Sequence, residues 1–299
     1  MQVSTGATAD AGTVIFGLNM STSAAPGADP VADALEAQRL GFDFVSANDH
    51  PNGRMPTHEL WTLLTWMAAK TSRIGIASRV IGVPYRNPAL LAKMAASLDQ
   101  LSDGRLILGL GGGSSDEGMR AFGIDATSPR AKMDALEDAL NIVRGMWSEA
   151  RSTYDGAIHS VSGADLEPKP RRPIPIWLGT YGPRGVAMVG RFADGWIPSL
   201  DMVPPERARA MREVIFDAAR EAGRDPEAIR FVYNLEARLG ERDADPAIVS
   251  GSIDEVTERF LGLIDVGFSG FNLIPTGPEP DADLERLAHE VLPAVRSRR

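Results

Sequence analysis

What most constrains this chain is an alternation: short apolar runs are separated by longer stretches in which apolar residues recur every three or four positions. That pattern belongs to repeated βα units, because parallel strands need a helical crossover between them. The runs that read as strands are 14–18, 42–45, 74–81, 106–110, 176–179, 195–197, 231–235 and 271–274. Helical faces lie between them, formed by Leu60, Leu63, Leu64 and Met67, by Met133, Leu136, Leu140, Val143 and Trp147, and by Ile253, Val256, Phe260 and Leu263. The last face opens with Ser252-x-x-Glu255, a capping box that marks a helix start.

Eight units that follow one another without a break predict an α/β fold, a (β/α)8 TIM barrel, over an open doubly wound sheet. The 299 residues accommodate a barrel of about 250 with additions. Residues 13–299 are expected to form a single barrel domain and 1–12 a loose segment. Residues 151–173, rich in Gly and Pro, read as an insertion with a short hairpin around Asp155-Gly156.

Composition removes several function classes. Without cysteine there are no disulfides, thiolate metal sites or cysteine nucleophiles. A net charge of −9 opposes nucleic acid and anionic membranes as partners. No apolar run reaches membrane-helix length, and the start MQVSTGATADAG lacks the features of a signal peptide, so a cytoplasmic location is expected. No pair of histidines has metal-ligand spacing, and no metal site is expected.

In a barrel the chemistry sits after the C-terminal ends of the strands. Those positions hold Asn48-Asp49-His50, Gly82-Val83-Pro84-Tyr85-Arg86, Gly111-Gly112-Gly113-Ser114-Ser115 and Gly179-Thr180-Tyr181-Gly182-Pro183-Arg184, with Asn19, Trp196, Asn234 and Asn272 as single additions. Glycine runs let backbone N–H groups approach a phosphate, and the last run opens into a predicted helix whose N-terminus favours an anion. Arg184 could add charge there. The plainer reading is that both runs are tight βα turns. His50, beside Asp49, can serve as a general acid or base or simply bind a ligand. Histidines 58, 159 and 289 are expected at the surface, and Trp196 is the tryptophan placed to stack on a ring. Ser114 and Ser115 lack the elbow sequence of a serine hydrolase.

Three stretches together resemble the luciferase-like monooxygenase superfamily, and more closely its branch of flavin- and F420-dependent oxidoreductases. They are GFDFVSANDH at 41–50, PYRNPALLAKMAASLDQLSDGRLILGLGGG at 84–113 and PIWLGTYGPRGVAMVGRFADGWIPS at 175–199. The resemblance implies a TIM barrel and a redox cofactor, coenzyme F420 (a deazaflavin) or FMN. It implies that Asp49 and His50 lie at the cofactor ring with His50 near the substrate. A bulge with a non-proline cis bond at Arg79 and Val80 would back the ring, Gly111, Gly112 and Gly113 would line it, and Gly179, Thr180, Tyr181 and Gly182 would hold the phosphate. The deazaflavin-dependent sugar-phosphate and alcohol dehydrogenases of this superfamily carry a tryptophan shortly after the Asp-His pair and a glutamate after the fourth-strand glycines. This chain has Arg54 and Ser114 instead, which argues against those substrates.

The functional expectation is therefore an oxidoreductase passing hydride between F420 and a small organic substrate. An FMN-dependent monooxygenase is the alternative. A non-redox lyase or isomerase gripping a phosphorylated substrate would need a lysine or paired carboxylates at strand ends, where none is placed. A small molecule is the expected partner, and a homodimer is allowed.

Overall fold

Several helix starts are encoded as an acceptor side chain followed by proline. Asp29, Asn87 and Ser128 each accept from backbone N–H groups of the helix they precede. Pro30, Pro88 and Pro129 fill the first helical position, where a missing N–H leaves no bond unmade. Ser252 and Glu255 form the expected capping box. The computed structural model describes residues 12–113, 116–125, 127–277 and 279–298. Except for Gly12, the segment expected to be loose lies outside the described residues, as do Ser114 and Ser115.

Along the chain run β1 (Ile15–Asn19), α1 (Pro30–Arg39), β2 (Phe44–Ala47), α2 (Leu60–Lys70), β3 (Gly75–Ser78), β4 (Ile81–Gly82), α3 (Pro88–Leu101), β5 (Leu106–Gly111), α4 (Asp116–Ala121) and α5 (Pro129–Ser148). There follow β6 (Ser152–Asp155), β7 (Ser160–Ala164), β8 (Ile176–Leu178), α6 (Pro183–Phe192), β9 (Gly195–Trp196) and α7 (Pro205–Glu221). The chain ends with β10 (Arg230–Leu239), β11 (Ile248–Gly251), α8 (Ile253–Val266), β12 (Gly270–Pro275), α9 (Pro280–Arg286) and α10 (Leu292–Ser297). Parallel pairing runs β1, β2, β3, β5, β8, β9, β10, β12 and back to β1, with β4 beside β5. This is the closed eight-stranded TIM barrel.

Three local features depart from the sequence reading. The run 74–81, read as one strand, is two, because the chain bulges at Arg79 and Val80 before resuming at Ile81; the cis peptide bond joining that pair is the one the family resemblance implied. Strand β10 continues past residue 235 and pairs Glu236 to Leu239 with Ile248 to Gly251, so β11 joins the sheet outside the ring. His159 is half-buried rather than on the surface, and its Nε2 has no hydrogen-bond partner among the described residues. It lies in the antiparallel hairpin β6–β7 of the insertion, which is tied to α5. Asp138 of α5 accepts from the backbone N–H of Ile158 (2.7 Å) and His159 (3.0 Å) and from the Tyr154 hydroxyl (3.1 Å).

Two apolar layers hold the barrel. The outer one joins strands to helices. The inner one is a plug of Ile15, Phe44, Ala77, Ile107, Trp177, Ile197 and Val232 from successive strand positions. Phe44 and Trp177 meet edge to face with centroids 5.3 Å apart. Gly17 is the concession to that pair, since a Cβ there would fall 2.2 Å from the Phe44 ring. The plug closes the barrel from below, leaving the C-terminal mouth for a ligand. Among the described residues no helix is long and apolar enough to cross a membrane.

Candidate active site

Above the plug the inward positions turn polar. Ser46 donates to Asn272 Oδ1 (2.9 Å), Asn272 Nδ2 to Asn234 Oδ1 (2.8 Å), and Asn234 Nδ2 to Ser199 Oγ (3.2 Å). Asn19 at the end of β1 accepts from Arg79 Nε at 2.8 Å, and its Oδ1 lies 3.3 Å from Ser46 Oγ. Buried amides need such partners, and this ladder fixes the side chains across the mouth. The cavity above it is lined by Asn48, Asp49 and His50, by Arg79, Val80 and Gly82, by Gly111, Gly112 and Gly113, and by Gly179, Tyr181, Ile197 and Ser199. The mouth thus gathers nine of the twelve sequence-nominated residues.

The remaining three are elsewhere. Thr180 is buried, with no hydrogen-bond partner for its Oγ1 among the described residues. Gly182 and Arg184 border a neighbouring groove with Pro129, Arg130 and Met133. Arg184 offers no spare charge, because Nη1 holds Asp134 at 2.5 Å and Nη2 holds Glu137 at 2.8 Å. Trp196 is also out of place for stacking on a ring. It points outward from β9, is fully buried against Phe231 and Phe268, and donates from Nε1 to the Thr180 carbonyl.

The glycines have separable causes. A Cβ on Gly111 would come 2.7 Å from Val80 Cγ2, and one on Gly179 would meet both Val80 methyls at 3.2 Å. The Val80 bulge therefore requires both. Gly113, at φ +89°, holds a left-handed conformation suited to glycine. A Cβ on Gly182 would meet nothing within 4 Å. Gly182 caps α6 without a side-chain hydrogen bond among the described residues, and as Pro183 carries no N–H and Val186 bonds back to the Gly182 carbonyl, the N–H groups left at this helix start are those of Arg184 and Gly185. Glycine at 182 and an uncapped helix N-terminus fit a phosphate group.

Asp49 is buried and occupied. It accepts from Arg86 Nη1 (2.7 Å), from Arg86 Nη2 (3.3 Å) and from the Gly82 N–H (3.2 Å). Arg86 also holds Glu59, the N-cap of α2. Burial alone would lower the Arg86 guanidinium, but the hydrogen bond and charge of Asp49, then of Glu59, outweigh it and leave it raised. Burial likewise opposes ionisation of Glu59, yet the N–H groups of Thr62 and Trp61, with Arg86, hold its carboxyl below the usual range. Asp49 thus has the surroundings of a clasp between loops, while His50 next to it is exposed at the rim of the cavity. Sequence reasoning assigned no role to Arg86, Ser46 or Ser199. A polar Ser46 inside the apolar run FVSA was the available signal; the Asp49–Arg86 pairing, between residues far apart in sequence, left none.

A closed parallel barrel with its polar ladder, glycine turns and an exposed histidine gathered at the C-terminal mouth is built as a barrel enzyme. The luciferase-like monooxygenase family model matches residues 12–261, and the chain belongs to that family. An F420-dependent glucose-6-phosphate dehydrogenase of Kineococcus radiotolerans is 29% identical over 311 aligned positions, covering 88% of this chain and 91% of its own. A solved F420-dependent secondary alcohol dehydrogenase, in complex with an F420-acetone adduct, matches with a TM-score of 0.83 at 20% identity, over 95% of this chain and 99% of its own. A monooxygenase of Streptomyces bottropensis matches with a TM-score of 0.81 at 21% identity, over 93% of this chain and 99% of its own. At those identities the two structures speak for the fold.

Proposed function

We propose that this chain is an oxidoreductase acting on a small organic molecule with coenzyme F420, which supplies or accepts hydride when bound. The observation that carries the reading is the mouth itself: the Val80 bulge packed between Gly111 and Gly179, with an uncapped helix N-terminus beside it. The backbone at 111–113 and 179 would lie along the ring, and the free N–H groups at the start of α6 would hold the phosphate. The apolar plug excludes water from below, and the asparagine and serine ladder orients polar atoms of ring or substrate. His50 would hold or release the proton at the substrate.

Glucose 6-phosphate is not part of the proposal, because Arg54 and Ser114 stand where those dehydrogenases carry tryptophan and glutamate. A homodimer is part of it, as exposed Trp66 on α2 and Leu90 and Leu101 on α3 offer apolar surface. A solution mass of one chain would remove that element.

The test follows reoxidation of reduced F420 and reduced FMN separately, anaerobically with organic carbonyl, enone or imine acceptors and then in air. Loss of reduced F420 only with an organic acceptor is expected. Protein-dependent formation of an oxygenated organic product from reduced FMN and oxygen would replace this reading by a monooxygenase, and no protein-dependent turnover with either cofactor would end both. Replacing His50 by alanine should lower turnover by about 10²- to 10⁴-fold, as for loss of a general acid or base, with little change in cofactor affinity. Unchanged turnover would remove His50 from the chemistry.

A further inference from the structure

Arg79 is not needed for the fold in the way its neighbours are. The bulge is packed through Val80, which fits against Gly111 and Gly179, whereas the Arg79 side chain turns into the mouth cavity. Its Nε donates to Asn19 Oδ1 at 2.8 Å and its Nη2 to Asn48 Oδ1 at 3.3 Å. Nη1 has no hydrogen-bond partner among the described residues, and no carboxylate lies within 4.0 Å of the guanidinium. The carboxylate that shares the cavity, Asp49, is taken by Arg86. Neutral amide oxygens orient a guanidinium without cancelling its charge. Burial pulls Arg79 below its ordinary range, and Tyr181 and Asp201 offset this only in part. A half-buried cation without a counterion is costly unless something else supplies the negative charge.

Its position separates that charge from the open groove beside α6. Gly182 and the start of α6 follow β8, whereas Arg79 reaches toward the ends of β1 and β2, where Asn19, Asn48 and His50 stand. Resting on the reading of a cofactor held at the β5 and β8 loops, we propose that Arg79 is a specificity-determining residue whose guanidinium binds a carboxylate carried by the organic substrate. Asn19 and Asn48 hold the guanidinium fork in place, and Nη1 is the donor left for the substrate. The substrate class is then a small organic acid whose reacting carbon lies near His50, with its carboxylate directed into the mouth.

The test compares probes of equal shape and different charge, benzoate against benzamide and butyrate against butyramide, titrated into wild-type protein with and without F420. Absorbance or fluorescence of bound F420 reports on the loaded protein, and thermal shift reports on the cofactor-free protein. The carboxylates should bind at least about tenfold more tightly than their amides, as a charge-assisted guanidinium contact requires. Arg79→Gln should abolish that preference and Arg79→Lys should keep part of it. Equal binding of acid and amide to the wild type, or an undiminished preference in Arg79→Gln, overturns the proposal. Failure of F420 to bind while the carboxylate preference persists in cofactor-free protein would instead sink the cofactor reading and leave the Arg79 subsite standing.

Discussion

The two glycine loops of the mouth look alike as sequence and differ as structure. At the end of β5, Gly111 gives way to Val80, and the adjoining loops are drawn together by the Asp49–Arg86 clasp. At the end of β8 the loop divides: Gly179 serves Val80 as well, but Gly182 faces open space at a helix start with no side-chain cap. The space of the missing side chain is filled by the protein itself at Gly111, and at Gly182 it stays open to the groove bordering the mouth. A glycine therefore signals a ligand only where no neighbour already occupies the missing side chain's place.

Variants can separate the two sides. Arg86→Ala should be the most damaging, since Asp49, whose side chain is only 2% exposed, would remain buried without its cation, at a cost of about 3–5 kcal/mol. Chemical denaturation measures it; a loss within experimental error would show the clasp to be dispensable. Next, Gly111→Ala should cost about 1–3 kcal/mol through the clash with Val80, and adding Val80→Ala should restore part of it. Gly182→Val should behave oppositely, changing stability by less than about 1 kcal/mol while weakening F420 binding about tenfold or more. Equal stability losses in the two glycine variants would break the comparison.

The smallest effect is expected away from both loops, in the insertion. Burial pushes the Asp138 carboxyl up, but the N–H groups of His159 and Ile158 and the Tyr154 hydroxyl outweigh it and hold the group below its usual range. A carboxylate lowered in the folded state adds stability that is complete above its unfolded value of about 4 and fades as pH falls through the lowered folded value. Asp138→Asn should therefore flatten the acid limb of the stability profile and leave F420 affinity unchanged. An unaltered acid limb would show that the hairpin contacts contribute nothing to the pH response.

The eight barrel strands were legible because each is a short apolar run between amphipathic stretches. The break inside 74–81 was not, since Val80 and Ile81 continue the apolar pattern across the bulge; only the family resemblance pointed to it. Trp196 was misjudged because a two-residue strand has no alternation from which to read its facing. For Arg184 the difficulty was distance along the chain, as its carboxylate partners lie on α5. The mouth residues Asp49, His50 and the glycines were visible as strand-end positions, yet their causes emerged only from what each one touches.

That the groove at the start of α6, bordering the mouth, holds the phosphate of a deazaflavin cofactor is the reading to test. It is tested most directly by titrating the purified protein with F420 and with the same deazaflavin lacking its phosphate-bearing tail, in wild type and in Gly182→Val. The account predicts saturable F420 binding in the wild type, weaker binding of the tail-less compound, and loss of that difference in the variant. Equal affinity for the two compounds in the wild type, or no binding of either, would contradict it.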